Sequence, residues 1–356
     1  MQHRAARCII PALLAGSGID SRALALVNCA RLADHPLLPA GLGDRLATQA
    51  AGLACGSVAG QPALPPDALP EETSGLVAWG LPLVCDHPMQ IGSQLASLWA
   101  LAELWPHAQR AERHLLRRLW YWSLRSRKAQ PGSWVTREDL ARWQRDLPTL
   151  HGCGVASPNA LAGMLEEEQP EVAHHALACY LGPDLHLPTL GWMVGGLAGR
   201  ALLRRFDHRN QSQQGLLGSI ACEQLAPQAD PGTAVVALSQ LAHEIWWTYR
   251  SDRRQLLKGE HDTDASLEEA VRRGDCRAAQ RAARLNSGRP ELLWTLAFRL
   301  LDELAVPGNE HWPRLLTGVV IAKQRAGGNP LGPDDAAVLG STMASVLWFS
   351  GQHQAV

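Results

Sequence analysis

Helix starts recur along this chain, and they constrain what it can fold into more than any other feature. Asp34-His35-Pro36, Asp86-His87-Pro88 and Asp207-His208 each place a capping carboxylate directly before a histidine. Asp184-Leu185-His186-Leu187-Pro188 and Asn309-Glu310-His311-Trp312-Pro313 are looser versions. An Asp or Asn oxygen accepts from the free N–H groups of a helical first turn. Pro is tolerated there because its missing N–H has no helical partner. The plain reading is a set of capped helix starts with His filling a polar slot. The sharper reading is that several helices aim imidazoles from their N-terminal ends at one shared site.

Between these starts the apolar residues are mostly Ala and Leu, with few β-branched runs, which favours helix over sheet. His87 to Trp105 carries Ile91, Leu95, Leu98, Trp99 and Ala102 at helical spacing. No stretch alternates as a strand would, and no β-α-β rhythm is present. The expected fold is all-α: a compact multi-helix array with helical-hairpin units and no sheet. Ser266 with Glu269 predicts a capping box for Leu267 to Arg273, followed by a Gly274-Asp275 turn and a second helix, Cys276 to Leu285. Leu24 to Ala33 leading into Asp34-His35-Pro36, and Leu76 to Cys85 leading into Asp86-His87-Pro88, share a layout that hints at a duplicated hairpin. His186 to Phe206 is the most apolar stretch. Its Gly191, Gly195, Gly196 and Gly199 leave one face bare, so it is expected to be the buried central helix. The length of 356 residues fits one large domain, or halves at 1–150 and 151–356.

Apolar residues make up 46% of the chain, enough for a large core. The formal net charge of -1 gives no electrostatic case for nucleic acid or an anionic membrane as partner. No segment has the ~20 apolar residues a membrane span needs. The apolar run after the two N-terminal arginines is short and interrupted by Pro11. The 8 cysteines are scattered singly with no C-x-x-C, which points away from zinc ribbons and iron–sulfur clusters and towards a reducing cytoplasm. Only Lys128, Lys258 and Lys323 are lysines among 33 basic residues, a bias typical of a GC-rich bacterial genome.

Two constellations could carry chemistry. Glu171-Val172-Ala173-His174 sets a carboxylate and an imidazole on one helical face, a candidate metal pair of the kind used in di-iron bundles, but no second E-x-x-H accompanies it. His243-Glu244 lies among Trp246, Trp247 and Tyr249. His243 and Trp247, being i and i+4, are expected to share a face, and an imidazole held against indoles can serve as a base. The 13 tryptophans, against 3 Phe and 3 Tyr, either fill the core or wall a pocket for a planar ligand. Trp105 to Lys128 interleaves arginines with aromatics and is expected to be a helix with one solvated face and one tryptophan face. Lys323 closes the apolar run Leu315 to Ala322, either as a buried functional lysine or as one that snorkels to solvent. No G-x-S-x-G, P-loop, strand-linked G-x-G-x-x-G or H-E-x-x-H is present, which removes the common hydrolases, nucleotide-binding folds and zincins.

The layout resembles all-helical proteins of the questin-oxidase type and the helical domains that accompany some Rieske proteins. The likeness rests on the histidine-led helices (His35, His87, His186, His208, His311) and on hairpins such as Glu268 to Leu285. It implies an oxygen-using enzyme of secondary metabolism, with the acid-flanked histidines as candidates. The chain lacks the Cys-x-His…Cys-x-x-His ligand set, so no Rieske cluster is expected in it. The expected function is a redox conversion of a planar organic substrate in a pocket lined by His and Trp. His87, His186, His208 and His243 are the candidate catalytic groups, and Glu171 and His174 the candidate metal ligands. The alternative is a non-enzymatic helical scaffold that binds a partner protein.

Overall fold

The computed structural model describes residues 10, 27–28, 32, 35–46, 70–86, 90–126, 187–204, 211–251, 265–306, 309, 311–327 and 330–351. Among them every regular element is helical and no strand occurs, as the Ala- and Leu-rich patterning requires. The chain divides into two compact units. One contains Met1–Val58, Leu202–Asn210 and Arg254–Val356; the other contains Ala59–Ala201 and Gln211–Arg253.

The second unit holds α1 (Thr73–Asp86), α2 (Ile91–Leu104), α3 (Arg110–Ser126), most of α4 (Leu187–Arg204), α5 (Gln211–Leu225) and α6 (Pro231–Ser251). Its order repeats. In α1-α2-α3 a short 3-10 turn, Trp105–His107, follows the second helix; in α4-α5-α6 another, Ala226–Gln228, does the same. The repetition is written in the residues. At one constant spacing, and without a gap, Asp86 matches Asp207, His87 His208, Gln90 Gln211, Leu95 Leu216, Ala100 Ala221, Leu104 Leu225, Pro106 Pro227 and Ala108 Ala229. This is a closer internal match than the 24–36 and 76–88 pair, most of whose first member lies outside the described residues.

Leu95, Ala100 and Leu104 and their matches Leu216, Ala221 and Leu225 are all buried, so packing accounts for them, while Ala108 is buried and Ala229 half-buried. The matched Pro sits in the first turn of each 3-10 helix, where a missing N–H costs nothing. The third helices start with complementary halves of a capping box. Glu112 Oε2 accepts from Gln109 N–H at 2.7 Å in one copy, and Asp230 Oδ2 accepts from Thr233 N–H at 2.9 Å in the other.

The matched second helices, α2 and α5, pack directly on each other. A Cβ on Gly218 would stand 2.6 Å from Gly92 Cα, and one on Gly92 would stand 2.6 Å from the Gln214 carbonyl, so only glycine admits this crossing. In α2 every residue but Glu103 is buried. The central helix of this unit is therefore α2. The Gly-rich helix expected there is α4, and its Trp192 is 52% exposed while the bare face of Gly196 meets nothing within 4 Å. On α4 a Cβ at Gly191 would stand 2.5 Å from Glu223 Cγ, a side-chain atom of α5, whereas the backbone-to-backbone crossing falls on Gly92 and Gly218.

The first unit is built from α7 (Leu267–Arg272), α8 (Cys276–Leu285), α9 (Pro290–Leu304), α10 (Trp312–Ala326) and α11 (Pro333–Phe349). The predicted hairpin is present. Ser266 Oγ accepts from Glu269 N–H at 3.2 Å, Gly274 turns the chain at φ 70°, and Asp275 Oδ1 caps α8 by accepting from Arg277 and Ala278 N–H at 3.0 and 2.9 Å. Ala279 and Ala283 of α8 meet Gly340 of α11, where a Cβ would stand 2.7 Å from the Ala279 carbonyl. Residues 42–46 are helical, and Arg45 pairs with Asp302 on α9.

Candidate functional site

The corner between α1 and α2 combines more unusual features than any other part of the described residues. Asp86 does not open a helix; it ends α1. The next described residue, Gln90, precedes α2 with a left-handed backbone at φ 53° and ψ 48°, the one described non-glycine residue with positive φ. Such a conformation costs about 1 kcal/mol or more for a residue with a Cβ and persists only where its surroundings enforce it. The Gln90 side chain makes no capping hydrogen bond to α2.

The enforcement comes from α6. Gln240, His243 and Glu244 stand at i, i+3 and i+4, one face of that helix, and all three are buried. Gln240 Nε2 donates to the Cys85 carbonyl at 2.9 Å, holding the end of α1. Glu244 Oε2 accepts from Gly92 N–H at 3.2 Å, holding the start of α2. A carboxylate far away in sequence thus fills the place of a local N-cap and meets the positive end of α2. Asp86 and Gln90, on either side of the corner, are exposed.

His243 is 6% exposed, and its ring lies 5.9 Å from Trp246 at 45°. Trp247 stands one turn on from His243 along α6, as expected, but it is 54% exposed, and the indole packed against the His243 ring is that of the i+3 residue, Trp246.

The aromatic wall divides in the same way. Trp99, Trp105, Trp120, Trp246, Trp294 and Trp312 are buried and fill core. Trp120 Nε1 donates to Ser97 Oγ at 3.1 Å, and Trp79 packs against Trp120 at 5.6 Å under the Arg117 guanidinium. Arg117 is buried and so leaves the solvated face predicted for the arginines of α3, while half-buried Arg113 donates to the Trp105 and Glu71 carbonyls at 2.9 Å.

His87, His186, His208, Glu171 and His174 lie outside the described residues. In the first unit, His35 is tied to its own neighbours. Its Nδ1 accepts from Leu37 N–H at 3.2 Å, and its ring packs 4.9 Å from Phe298 and 5.3 Å from Trp294. Here the imidazole itself is the capping acceptor, and residues 36–41 form turns. Burial, and then the charge of Lys323, hold His35 below the usual imidazole range. Two residues picked out separately in the sequence, His35 and Lys323, thus come within electrostatic reach. The His311 ring lies 6.4 Å from Phe349, and the His311 backbone N–H donates to Asn309 Oδ1 at 2.9 Å. Among the described residues no group of three His, Cys, Asp or Glu side chains could hold a metal ion. Cys85, Cys222 and Cys276 are buried thiols outside any disulfide, and burial pushes the Cys276 thiol up to about 12.

Sequence reasoning missed Gln240 and the capping role of Glu244, because nothing local marks a partner so distant in the chain. The repeat was the signal available: comparing 86–108 with 207–229 isolates Asp, His and Gln as the retained polar residues. No described helix is long and apolar enough to cross a membrane. Compared with protein-family models, curated proteins and solved structures, the chain matches none of them.

Proposed function

We propose that this is an enzyme acting on a planar organic substrate at the α1–α2 corner, using dioxygen as electron acceptor. One observation carries the reading: Asp-His-x-x-Gln is retained in both copies of the repeat although the positions around it have diverged. Packing explains the shared Leu, and helix-start geometry the shared Pro. Of the shared polar triplet, Asp86 and Gln90 are exposed, and Gln90 has a left-handed backbone, the kind of strained conformation that clusters at functional sites. The layout-level resemblance to questin-oxidase-type proteins points to the same reaction class.

The chemistry is an oxidation of a dihydroxyarene. Its two C–OH groups become carbonyls, two electrons and two protons leave, and dioxygen takes both and departs as hydrogen peroxide. An imidazole removes the first proton, since the arene anion gives up electrons far more readily than the neutral form. His243 fills this role from α6, and His87 is the second candidate by its place in the sequence. The test follows oxygen uptake and peroxide release by the purified full chain over a panel of planar dihydroxyarenes. Uptake above the uncatalysed background, reduced at least about tenfold by His243→Gln or by His87→Ala with the folded state retained, is the expected result. Uptake equal to background for every arene contradicts the proposal.

A second reading, a scaffold for a partner protein, is favoured by Trp192 and Trp247, which expose more than half of their surface. Under that reading Trp192→Ala with Trp247→Ala abolishes partner binding and leaves oxygen uptake at background.

A further inference from the structure

The first unit carries an arrangement that the oxidation chemistry does not use. Trp294, Phe298 and Asp302 stand at i, i+4 and i+8 on α9 and so form one stripe of that helix. Residues 35–46 are anchored along this stripe. The His35 ring lies against Trp294 and Phe298, and Arg45 pairs with Asp302. Leu42 and Leu46, one turn apart in the helical part of the segment, are buried. Both side chains of the Arg45–Asp302 pair are exposed, and such pairs contribute little by themselves. The start of the segment therefore depends on His35.

His35 makes its hydrogen bond only while neutral. Nδ1 accepts from Leu37 N–H at 3.2 Å, which takes the lone pair of that nitrogen. A proton on Nδ1 turns the acceptor into a donor aimed at another donor. It also sets a second positive charge within reach of Lys323 on α10. On the α9 stripe, Glu291 is exposed one turn before Trp294, and Asp302 is engaged by Arg45. Arg299 and Glu303 of α9 pair with Glu268 and Arg272 of α7. Asp44 lies within the segment, and Asp34 precedes it in the chain. Burial, and then Lys323, hold the anchored ring below its ordinary 6.5, so a released ring takes a proton more readily than an anchored one. Proton uptake therefore favours release. Anchoring is complete above 6.5 and weakens as pH falls below it.

We infer that residues 35–46 are an acid-released strap: a proton on His35 detaches the start of the segment from α9 and bares the side of Trp294 and Phe298 that the imidazole covers, while the helices beneath stay folded. The device is independent of the oxidation chemistry.

The experiment follows amide hydrogen exchange of the full chain from pH 8 to 5, expressed as protection relative to intrinsic exchange at each pH. It is read at residues 37–45 and, for comparison, at 276–285 of α8. The expected result is a loss of protection at 37–45 that sets in below pH 6.5, with 276–285 unchanged. His35→Asn keeps an oxygen that can accept from the N–H two residues on and does not titrate, so it removes the pH dependence. Lys323→Met makes the loss smaller, because one of the two causes that keep the proton off the anchored ring is gone. Protection at 37–45 that is constant with pH in the wild type overturns the strap. So does a loss of the same size in His35→Asn, which would place the titrating group elsewhere. Equal loss at 37–45 and 276–285 is general acid unfolding and overturns the selective release. Should His35→Asn fail to fold, Lys323→Met decides, and a loss as large as in the wild type overturns the role of His35.

Discussion

At the scale of single residues, the informative polar groups are those whose partners come from elsewhere in the chain. His35 shows how the surroundings decide a histidine's charge. Its neutral form is favoured by burial and then by Lys323, so the folded chain binds this proton less readily than the unfolded chain. Stability attributable to His35 is therefore complete above the ordinary imidazole value of 6.5 and declines as pH falls below it. Lys323→Met should raise the His35 titration midpoint, as read by the imidazole NMR signals across pH 4 to 8; an unmoved midpoint would show that the two groups are not coupled. Glu303 behaves in the opposite way. Arg272 donates to both its oxygens at 2.5 and 2.7 Å and holds its carboxyl below the usual range. That stabilisation is present above the unfolded carboxylate value and is lost as pH falls through the lower folded one. Both partners are partly solvated, so the pair contributes at most about 1 kcal/mol. The difference in melting temperature between the wild type and Glu303→Gln should be small at pH 7 and vanish near pH 2.

At the scale of elements, helix starts and hairpins could be read locally and helix partners could not. The α7–α8 hairpin was legible because Ser266, Glu269, Gly274 and Asp275 act within a few residues of themselves. Asp275→Ala should therefore cost about 1 kcal/mol of stability in a denaturant titration, with an unchanged slope. The Asp-His pairs were read as helix openers, yet Asp86 closes α1 and Glu244 caps α2. A capping residue in sequence does not say which side of the break it serves. The central helix was misassigned for a related reason. Glycine content marks where a close approach is possible, but only the facing helix makes it real, as at Gly92 and Gly218. Gly218→Ala and Gly340→Ala each drive a methyl into a backbone on another helix and should each cost about 1–3 kcal/mol by overpacking. Gly196→Ala meets nothing within 4 Å and should be neutral or slightly stabilising.

At the scale of the whole molecule, the absence of strand patterning and the Ala-Leu composition foretold an all-helical chain. The division into two units, each assembled from separate stretches of sequence, was not foretold by composition or by Pro-rich linkers. Long-range returns of the chain leave no local mark. The repeat in the second unit was open to view in the residues and was overlooked, because its identities are spread thinly over helices whose other positions have changed. Its retained polar triplet links the architecture to the proposed chemistry. The most direct test is backbone NMR mapping of the full chain with a turned-over dihydroxyarene bound. The account predicts shift changes concentrated at residues 86–92 and 240–244. Changes centred on 207–213, or in the unit that contains His35, would contradict it.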